Sequence, residues 1–449
     1  MNILHVNLAM GYTEGLNYQE NCVSKCHALA GHKVTVITTP YCFNKGEWGP
    51  CQTSFDYSNE YGVHVVRLPF LYKLPYKINK QIGRFSGTYQ AIEQANPDVI
   101  CIHNIQFQDI RVFAKYKKQH PNVKIFIDNH ADFSNSARTW VSKNILYRFW
   151  WKPCAKAIEP CTEKFFGVMP SRVDFLSDIY GIDKKKCGLL VMGADDDAVA
   201  EAKKPEVRAE VRKKYKIAAD DFLIVTGGKI DAFKTQTLLL MQAVKRIQDK
   251  KVRLLVFGSI EEQLRDKVEK LCDGEKIQYI GWAKGNQSYE YFAAADLVVF
   301  PGRHSVYWEQ VAGLGIPMVC KYWKGTTHVD LGGNVEFIHE DSVECIEKIL
   351  KEIIDIPDKY QKMKNVAEKK GMETCSYKID MSGKSKAKVL FVTNLYPSDE
   401  EPNRGVYIRN QAVALEKSGY EICVLQMDYR SIRRKRKLGI NWRKQDDIG

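Results

Sequence analysis

Strand-like apolar runs alternate with helical patterns through most of this 449-residue sequence. This alternation constrains the fold most, because a strand–helix–strand repeat places its strands parallel in one sheet with helices on both faces. The first repeat runs from a strand at Ile3–Val6, through a glycine-containing loop and a helix at Gln19–Leu29, to a strand at Val34–Thr38. We therefore predict an α/β protein built on doubly wound parallel sheets.

Two series of these repeats follow each other, separated by the charged stretch Ala200–Lys216. The chain is too long for one hydrophobic core, so we predict two domains, residues 1–195 and 196–364. Further strands are predicted at Val63–Leu68, Val99–His103, Lys124–Ile127, Phe165–Val168, Leu189–Met192, Phe222–Thr226, Val252–Phe257, Ile277–Tyr279, Leu297–Phe300 and Met318–Cys320.

The C-terminal part of the chain repeats the pattern of its beginning. Residues 388–425 match residues 2–39: an apolar strand, a loop with glycine, a helix that ends at glycine, and a second strand. One such unit cannot bury both faces of its strands, so residues 386–449 should dock on the main body, pair with another chain or stay loose. The basic stretch at 431–444 indicates either a solvated charge run or contact with anionic lipid.

The formal net charge of +13 predicts an anionic partner: nucleic acid, an anionic membrane surface or a phosphorylated substrate. We do not expect nucleic acid, because no recognisable binding module accompanies the charge. No apolar run reaches the roughly 18 residues that span a bilayer, and the N-terminus lacks the basic region of a secretion signal. Thirteen cysteines without framework spacing predict free, mostly buried thiols in the cytoplasm.

The segment 227–234, GGKIDAFK, follows a predicted strand and opens a helix. Its glycines let the backbone approach a phosphate, and a helix N-terminus favours an anion. Lys229 and Lys234 can flank a diphosphate and neutralise the charge that builds on it as it leaves, in place of a metal ion. The alternative is a pair of exposed lysines at a helix start.

Residues 275–317 read EKIQYIGWAKGNQSYEYFAAADLVVFPGRHSVYWEQVAGLGIP. Together with GGKIDAFK, they resemble the family-4 glycosyltransferases of the GT-B fold, in which two Rossmann-like domains face each other across a cleft. The resemblance covers about residues 1–385 as one full copy. It implies transfer of a hexose or related sugar from a UDP- or GDP-linked donor to a saccharide acceptor, with retention at the anomeric carbon and no metal or cofactor. The expected setting is synthesis of a cell-surface polysaccharide or glycan.

The same resemblance implies a set of donor-binding residues. Lys229 stands where the family usually has arginine, Lys234 stands at its lysine, and Glu309 matches the glutamate that grips the ribose hydroxyls. The implied donor-binding residues are Gly15, Gly228, Lys229, Lys234, Gly258, Trp282, Ser305, Val306, Tyr307 and Glu309.

The sequence departs from the family at one position. The family has two glutamates separated by seven residues, whereas Pro301 occupies the first of these positions here. We expect His304 and Ser305–Tyr307 to replace the missing glutamate through side chains and backbone amides. Arg303 is a further candidate cation at this place.

Histidines at two predicted strand ends point to the acceptor side. The segment IDNHADF (127–133) lies just past a strand, where doubly wound sheets place ligands, and resembles the family's histidine-bearing active-site loop. The resemblance implies that His130 lies at the reaction centre with Asp132 beside it. His103, at another strand end, is expected in the same crevice, and a purely structural role is the alternative for each histidine.

Two further segments bear on organisation and metal binding. CSYKID (375–380) resembles the last helix of the family, which returns to the first domain, here at about 365–385. Asp195–Asp197 could be read as a metal-binding DxD motif, but that motif needs a strand end inside one nucleotide-binding domain. We expect no metal there.

Tyr147–Lys152 mixes aromatic and cationic residues, as an interfacial helix or an ordinary core helix would. The first case implies a lipid-linked acceptor and peripheral contact with the inner face of the membrane. Two other functions stay open. The missing glutamate and the incomplete last segment favour a catalytically weak homologue that serves as a binding subunit, and a GT-B-fold sugar-nucleotide epimerase would act without an acceptor.

Overall fold

The computed structural model describes residues 1–393, 421–427 and 440–443, apart from residues 17, 45–46, 52–54, 134, 233–234 and 378–387. The chain forms two compact units, Met1–Met381 and Ser382–Gly449. The larger unit contains two sheets, one in each of its halves, and each sheet is flanked by helices.

The first half of the larger unit is built on one large sheet and a hairpin. Its strands are β1 (Asn2–Asn7), β2 (Lys33–Thr38), β3 (Tyr41–Asn44), β4 (Glu47–Pro50), β5 (Asp56–Ser58), β6 (His64–Arg67), β7 (Val99–His103), β8 (Lys124–Asn129), β9 (Lys164–Gly167) and β10 (Cys187–Leu189). Its helices are α1 (Gln19–Leu29), α2 (Tyr76–Ile82), α3 (Thr88–Ala95), α4 (Ile110–Gln119), a π-helix (Ser142–Trp151), α5 (Lys152–Ile158) and α6 (Pro170–Asp178), with short 3₁₀ turns at Glu159–Cys161 and Lys184–Lys186.

The strand order of the first sheet is β10-β9-β8-β7-β1-β2-β6-β5, and every pair is parallel except β5–β6. Its central strands are apolar and covered on both faces, as parallel sheets require; Leu4, Val6 and Ile100 are fully buried. The order reverses between β1 and β7, so the connections that follow these strands diverge. A crevice at their carboxyl ends is the expected consequence.

The second half follows the same plan. Its elements are α7 (Asp196–Ala202), α8 (Pro205–Lys214), β11 (Phe222–Gly227), α9 (Gln236–Arg246), β12 (Val252–Phe257), α10 (Glu262–Glu269), β13 (Ile277–Tyr279), α11 (Gln287–Ala293), β14 (Leu297–Phe300), α12 (Tyr307–Leu314), β15 (Met318–Lys321), β16 (Val335–Ile338), α13 (Val343–Asp355) and α14 (Pro357–Cys375). The parallel order β13-β12-β11-β14-β15-β16 reverses between β11 and β14. The two doubly wound sheets predicted from the alternation are therefore confirmed.

The halves meet around the stretch where the sequence placed its domain boundary. Lys25 of α1 pairs with Asp195 at 3.0 Å, and the amide of Ser171 donates to the carbonyl of Gly325 at 3.2 Å. The end of α14 reaches this junction, because the amide of Ala194 donates to the carbonyl of Cys375 at 2.6 Å. Residues 378–385 of the predicted crossing helix lie outside the described residues.

Asp195 has a local structural role. Its side chain caps the first turn of α7 by accepting from the amides of Asp197 and Ala198, and it pairs with Lys25. Asp195 thus caps α7 and links it to α1.

The β3–β4 hairpin corrects the expectation that all cysteines are free. Cys42 and Cys51 form a disulfide across the hairpin's two ends. Tyr41 and Pro50 pair in the antiparallel hairpin, and this pairing brings the adjacent residues Cys42 and Cys51 together. The sequence pattern did not predict the hairpin. The other cysteines whose side chains the structure describes lie outside this disulfide: Cys22, Cys26, Cys101, Cys154, Cys161, Cys187, Cys272, Cys320, Cys345 and Cys375.

The smaller unit contains a three-stranded sheet. β17 (Lys388–Thr393) and β18 (Glu421–Met427) are parallel, with Lys388 opposite Glu421. The first domain begins with the same parallel pairing, although the connection in the smaller unit lies outside the described residues. β19 (Ile440–Arg443) pairs antiparallel with β18, so part of the predicted basic tail is a strand.

Candidate active site

Most of the predicted site residues that the structure describes lie in connections that follow the carboxyl ends of strands in the two sheets. Gly15 lies in the connection between β1 and α1 with a φ of +72°, and a Cβ atom built there would meet no heavy atom within 4 Å. This loop position therefore requires glycine for its backbone and leaves space for close approach of a ligand.

His130 lies in the loop after β8 and is held by its backbone. Its amide donates to the Asn104 side chain at 2.9 Å, and its carbonyl accepts from the Asn135 side chain at 2.8 Å. The ring borders a cavity of about 300 Å³. The residues that line this cavity are Ala9, Lys80, Gln81, Asn104, Gln106, His130, Ala131, Asn135, Ser136, Leu146, Tyr147 and Trp151.

Asp132 anchors the same loop. It is buried, its Oδ1 accepts from the amide of Asn135 at 3.0 Å, and its Oδ2 accepts from Arg172 Nε on α6 at 3.2 Å. The carboxylate is therefore engaged in shaping the loop, and it does not line the cavity that His130 borders.

His103 lies beneath the crevice, with a side chain only 3% exposed. Its Nδ1 bonds to Asp128 Oδ2 at 2.6 Å, and the other oxygen, Oδ1, lies 3.2 Å from His130 Nε2 without hydrogen-bond geometry. Burial alone would raise the pKa of Asp128, but the two histidines outweigh it and hold that pKa well below its usual value. Asp128 thus connects His103 to His130.

Three glycines form a rim at the carboxyl ends of β11, β12 and β13. The amide of Gly228 donates to the carbonyl of Phe257, the last residue of β12, at 3.0 Å. The amide of Gly258 donates to the carbonyl of Gly281 at 2.8 Å. Trp282 follows Gly281 with 54% of its surface exposed. The structure therefore brings together Gly228, Gly258 and Trp282, which the resemblance assigned to the donor.

Lys229 extends from this rim. Its side chain is 55% exposed, and its ammonium group lies 3.6 Å from Asp231 and 3.7 Å from Glu261. Such exposed, long ion pairs contribute about 0–1 kcal/mol, so a diphosphate can compete for this lysine. Lys234 lies outside the described residues.

Ser305, Val306 and Tyr307 occupy the start of α12, directly beyond the carboxyl end of β14. The carbonyl of Ser305 accepts from the Trp308 amide, so this turn is already helical, and the first amides of a helix have no acceptor within it. Val306 packs against Val168 and Met169 of the first half. Burial, followed by nearby Tyr18 of the first half, raises the pKa of Tyr307 to about 12.

Glu309 is fully buried in α12 between two histidines. Its Oε1 accepts from Nε2 of His304 and Nε2 of His328, each at 2.8 Å, whereas Oε2 has no partner among the described residues. Burial alone would raise the pKa of Glu309, but the two histidines outweigh it and lower the pKa to about 2. The carboxylate is therefore ionised at neutral pH, and Oε2 is left to accept a donor from a ligand or from a rearranged neighbour.

Sequence reasoning missed several residues of this site. Asp128 directly follows the predicted strand Lys124–Ile127 and belongs to β8, so it was interpreted as part of the strand region. Arg172 and His328 lie in segments where no motif marks either residue. Glu20 is buried at the start of α1, where burial raises its pKa and His130 and His103 oppose that effect. A carboxylate on the buried face of a predicted helix was the available signal.

The second half also matches a known family. Residues 221–352 match the family model described as glycosyl transferases group 1. This match places a glycosyltransferase domain on the part of the chain that carries Lys229 and Glu309. No curated protein sequence gives a significant match to the chain.

Solved structures resemble most of the chain. A glycosyltransferase from Rickettsia africae ESF-5 is 14% identical with a TM-score of 0.59, and the match covers 85% of this chain and 95% of that one. Anabaena HepE, solved with UDP, is 13% identical with a TM-score of 0.57 over 85% and 97%. The UDP-GlcNAc 2-epimerase of Neisseria meningitidis is 11% identical with a TM-score of 0.53 over 85% and 99%. These similarities show that the chain has the GT-B fold.

Proposed function

We propose that the protein is a glycosyltransferase that moves a sugar from a nucleoside-diphosphate donor to a saccharide acceptor with retention at the anomeric carbon. One observation carries the proposal: the glycine rim at the carboxyl ends of β11, β12 and β13 lies within the segment that matches the group 1 glycosyl transferases. The match favours a transferase over the epimerase that shares the fold.

The donor diphosphate would lie between the Gly228 rim and the start of α12. The glycine rim would let phosphate oxygens approach closely, and the first amides of α12 would donate to them. Lys229 and Lys234 would offset the charge on the departing diphosphate, in place of a divalent ion. A UDP or GDP donor fits this scheme, and HepE was solved with UDP. Glu309 Oε2 would accept from a ribose hydroxyl.

The acceptor would enter the cavity beside His130. The polar side chains of Asn104, Gln106 and Asn135 line it, which suits a sugar's hydroxyl groups, whereas Tyr147 and Trp151 offer an apolar wall. His103 would act from behind, through Asp128, rather than by touching the acceptor. Asp132 would shape the loop and would take no part in the chemistry.

A lipid-linked acceptor is favoured by the helix that forms the apolar wall. Tyr147 and Trp151 of the π-helix are buried, whereas Phe149 of the same helix and Trp140, which precedes it, are 74% and 73% exposed. Arg148 lies on the same exposed stretch. Aromatic and cationic side chains together suit the headgroup region of a membrane, so this helix would place the acceptor cavity at the cytoplasmic leaflet. No helix among the described residues has the length and apolarity to cross a bilayer.

The proposal is tested by the thermal shift that UDP-glucose or GDP-mannose produces. A donor at about 100 times its Kd stabilises the folded protein by about 2.7 kcal/mol. Lys229→Ala should remove most of this shift, whereas Lys250→Ala, at an exposed lysine beyond α9, should keep it. Release of the nucleoside diphosphate in the presence of EDTA would then establish transfer without a divalent metal.

Two results would contradict the proposal. One is the absence of any shift with either nucleotide sugar in the wild-type protein. The other is an equal shift in Lys229→Ala and wild type, which would place the diphosphate elsewhere. The anomeric configuration of the product, read by proton NMR, decides between retention and inversion.

A further inference from the structure

A row of imidazole rings leads away from Asp128 through the interior of the first half. His5 on β1 lies between His103 on β7 and His27 on α1. His5 Nδ1 is 3.0 Å from His103 Nε2, and His5 Nε2 is 2.8 Å from His27 Nδ1. With the 2.6 Å contact from His103 to Asp128, four groups stand in one continuous line of hydrogen-bond distances.

The row runs from Asp128 at the candidate active site to His27 on α1. His5 is fully buried and His103 almost so, whereas His27, in the last turn of α1, is half-buried. His32 lies beyond it, with ring centroids 6.0 Å apart. His130, on the cavity side of Asp128, is the inner end of the line and His27 is the outer end.

The pKa shifts of the three histidines in the row differ in direction. Burial opposes the charged form of His103, but the Asp128 carboxylate outweighs it and raises the pKa of His103. The pKa of His5 is lowered by burial, then by His27 and His103, and the pKa of His27 is lowered to about 4 by burial, then by His32 and His103. Of the three histidines, His103 is therefore the one whose charged form its surroundings favour.

A charged His103 fixes the tautomers of the other rings. It donates from Nδ1 to Asp128 and from Nε2 to His5 Nδ1, so neutral His5 carries its hydrogen on Nε2. His5 then donates to His27 Nδ1. His103 thus donates on both sides, whereas His5 and His27 each accept on the side that faces Asp128.

Other groups face the row from neighbouring elements. Cys101 stands opposite His5 on β7, and its pKa is raised to about 12 by burial and then by Asp128, so its thiol is neutral. Val36 stands opposite His5 on β2. Glu20, at the start of α1, interacts electrostatically with His103 and Asp128. Asp128 and Glu20 are thus the acidic neighbours of the row.

We propose that His103, His5 and His27 form a proton path that joins the Asp128–His130 pair to solvent while substrates fill the cleft. The proposal rests on the proposed glycosyl transfer, which frees one proton. The acceptor oxygen bonds to the anomeric carbon, the bond from that carbon to the diphosphate breaks, and its electron pair leaves with the diphosphate. The acceptor's hydroxyl proton passes to one ring nitrogen of His130. The ring then turns into hydrogen-bond geometry with Asp128 Oδ1, which lies 3.2 Å from its Nε2, and Nε2 passes a proton to that oxygen.

A protonated Asp128 no longer stabilises the charge on His103. The His103 Nε2 proton moves to His5 Nδ1, the His5 Nε2 proton moves to His27 Nδ1, and His27 releases the proton from its other nitrogen to solvent. One proton enters and one leaves, so the closed site keeps its net charge. After product release, Asp128 returns its proton through His130 to the open cavity, and the row refills from solvent in reverse, which restores every tautomer.

The test replaces the outer end of the path by His27→Gln and measures turnover of nucleotide sugar and acceptor. We expect kcat to fall by at least about tenfold with the donor KM unchanged, because proton transfer by a positioned group contributes on the order of 10²-fold or more. Added imidazole should restore turnover by replacing the missing ring. His64→Gln, at an exposed histidine on β6 outside the row, should retain wild-type kcat and ignore imidazole.

An independent readout needs no turnover. Nitrogen-15 NMR of the histidine rings in the wild-type protein should show His103 protonated on both nitrogens and His5 protonated on Nε2. A His5 hydrogen on Nδ1, or an unchanged kcat in folded His27→Gln, would overturn the path. If wild-type protein turns over no nucleotide sugar, the proposed function fails, and the NMR result still decides whether the row is ordered as described.

Discussion

Gly228 and Gly258 offer a matched pair of substitutions at the donor rim. Their φ angles are nearly equal, at +131° and +128°. A Cβ atom at Gly258 would lie 1.9 Å from the carbonyl oxygen of Gly228 and 2.6 Å from its carbonyl carbon, whereas a Cβ at Gly228 would meet nothing within 4 Å. The two positions thus share backbone strain but differ in available space.

The magnitudes follow from this difference. Alanine at either position costs about 1–3 kcal/mol, because L side chains rarely adopt such angles. Gly258→Ala should cost about 1–3 kcal/mol more, because the obstructing group is backbone and the two loops must move apart. Urea unfolding at constant m-value measures both losses.

The same pair separates stability from ligand binding. If a diphosphate approaches the backbone at Gly228, a methyl group there should block it, so Gly228→Ala should lose the thermal shift produced by UDP-glucose while retaining more stability than Gly258→Ala. Equal stability losses in the two variants would refute the contact between the loops. A full thermal shift in Gly228→Ala would refute close approach of the donor at this glycine.

Two further predictions concern Glu309 and the exposed aromatic residues. The lowered pKa of Glu309 contributes stability that is present above its ordinary value of 4.5 and is lost as pH falls towards about 2, a difference of about 3 kcal/mol. Glu309→Gln should therefore unfold at lower urea concentration at pH 7 and should show a flatter pH dependence in that window; parallel curves for variant and wild type would contradict this. Trp140→Ser combined with Phe149→Ser should weaken sedimentation with vesicles containing anionic lipid while leaving nucleotide-sugar binding intact, and unchanged sedimentation would exclude this helix as a membrane contact.

The fold was largely predictable because parallel strands read as continuous apolar runs. The predicted bounds Val99–His103, Val252–Phe257 and Leu297–Phe300 are those of β7, β12 and β14. The prediction at Leu189–Met192 was shifted, since β10 ends at Leu189 and the following residues belong to the connection between the two halves. The β3–β4 hairpin was missed because its four-residue strands carry no clear alternation.

The candidate site was predictable only where residues follow strands. Gly228, Lys229 and His130 stand at strand ends, and the topology of doubly wound sheets gathers such positions. The imidazole row was not predictable, because His5, His27 and His103 are far apart in sequence and meet only through the pairing of β1 with β7 and the packing of α1. A histidine within a buried strand, such as His5, was the single hint. Glu309 was expected to face ribose, and its two histidine partners were not foreseen.

Val306 has a consequence for how such an enzyme would admit its substrate. Val306 directly precedes α12, the helix whose first turn is proposed to bind the phosphates. Its side chain packs against Val168, Met169 and Met192. A hinge motion that separates the two halves would have to remove Val306 from its contacts with Val168, Met169 and Met192. The first turn of α12, which is proposed to bind the phosphates, would move with it. Binding of the nucleotide and closure of the two halves would then be coupled, and release of the product would require that Val306 leave these contacts.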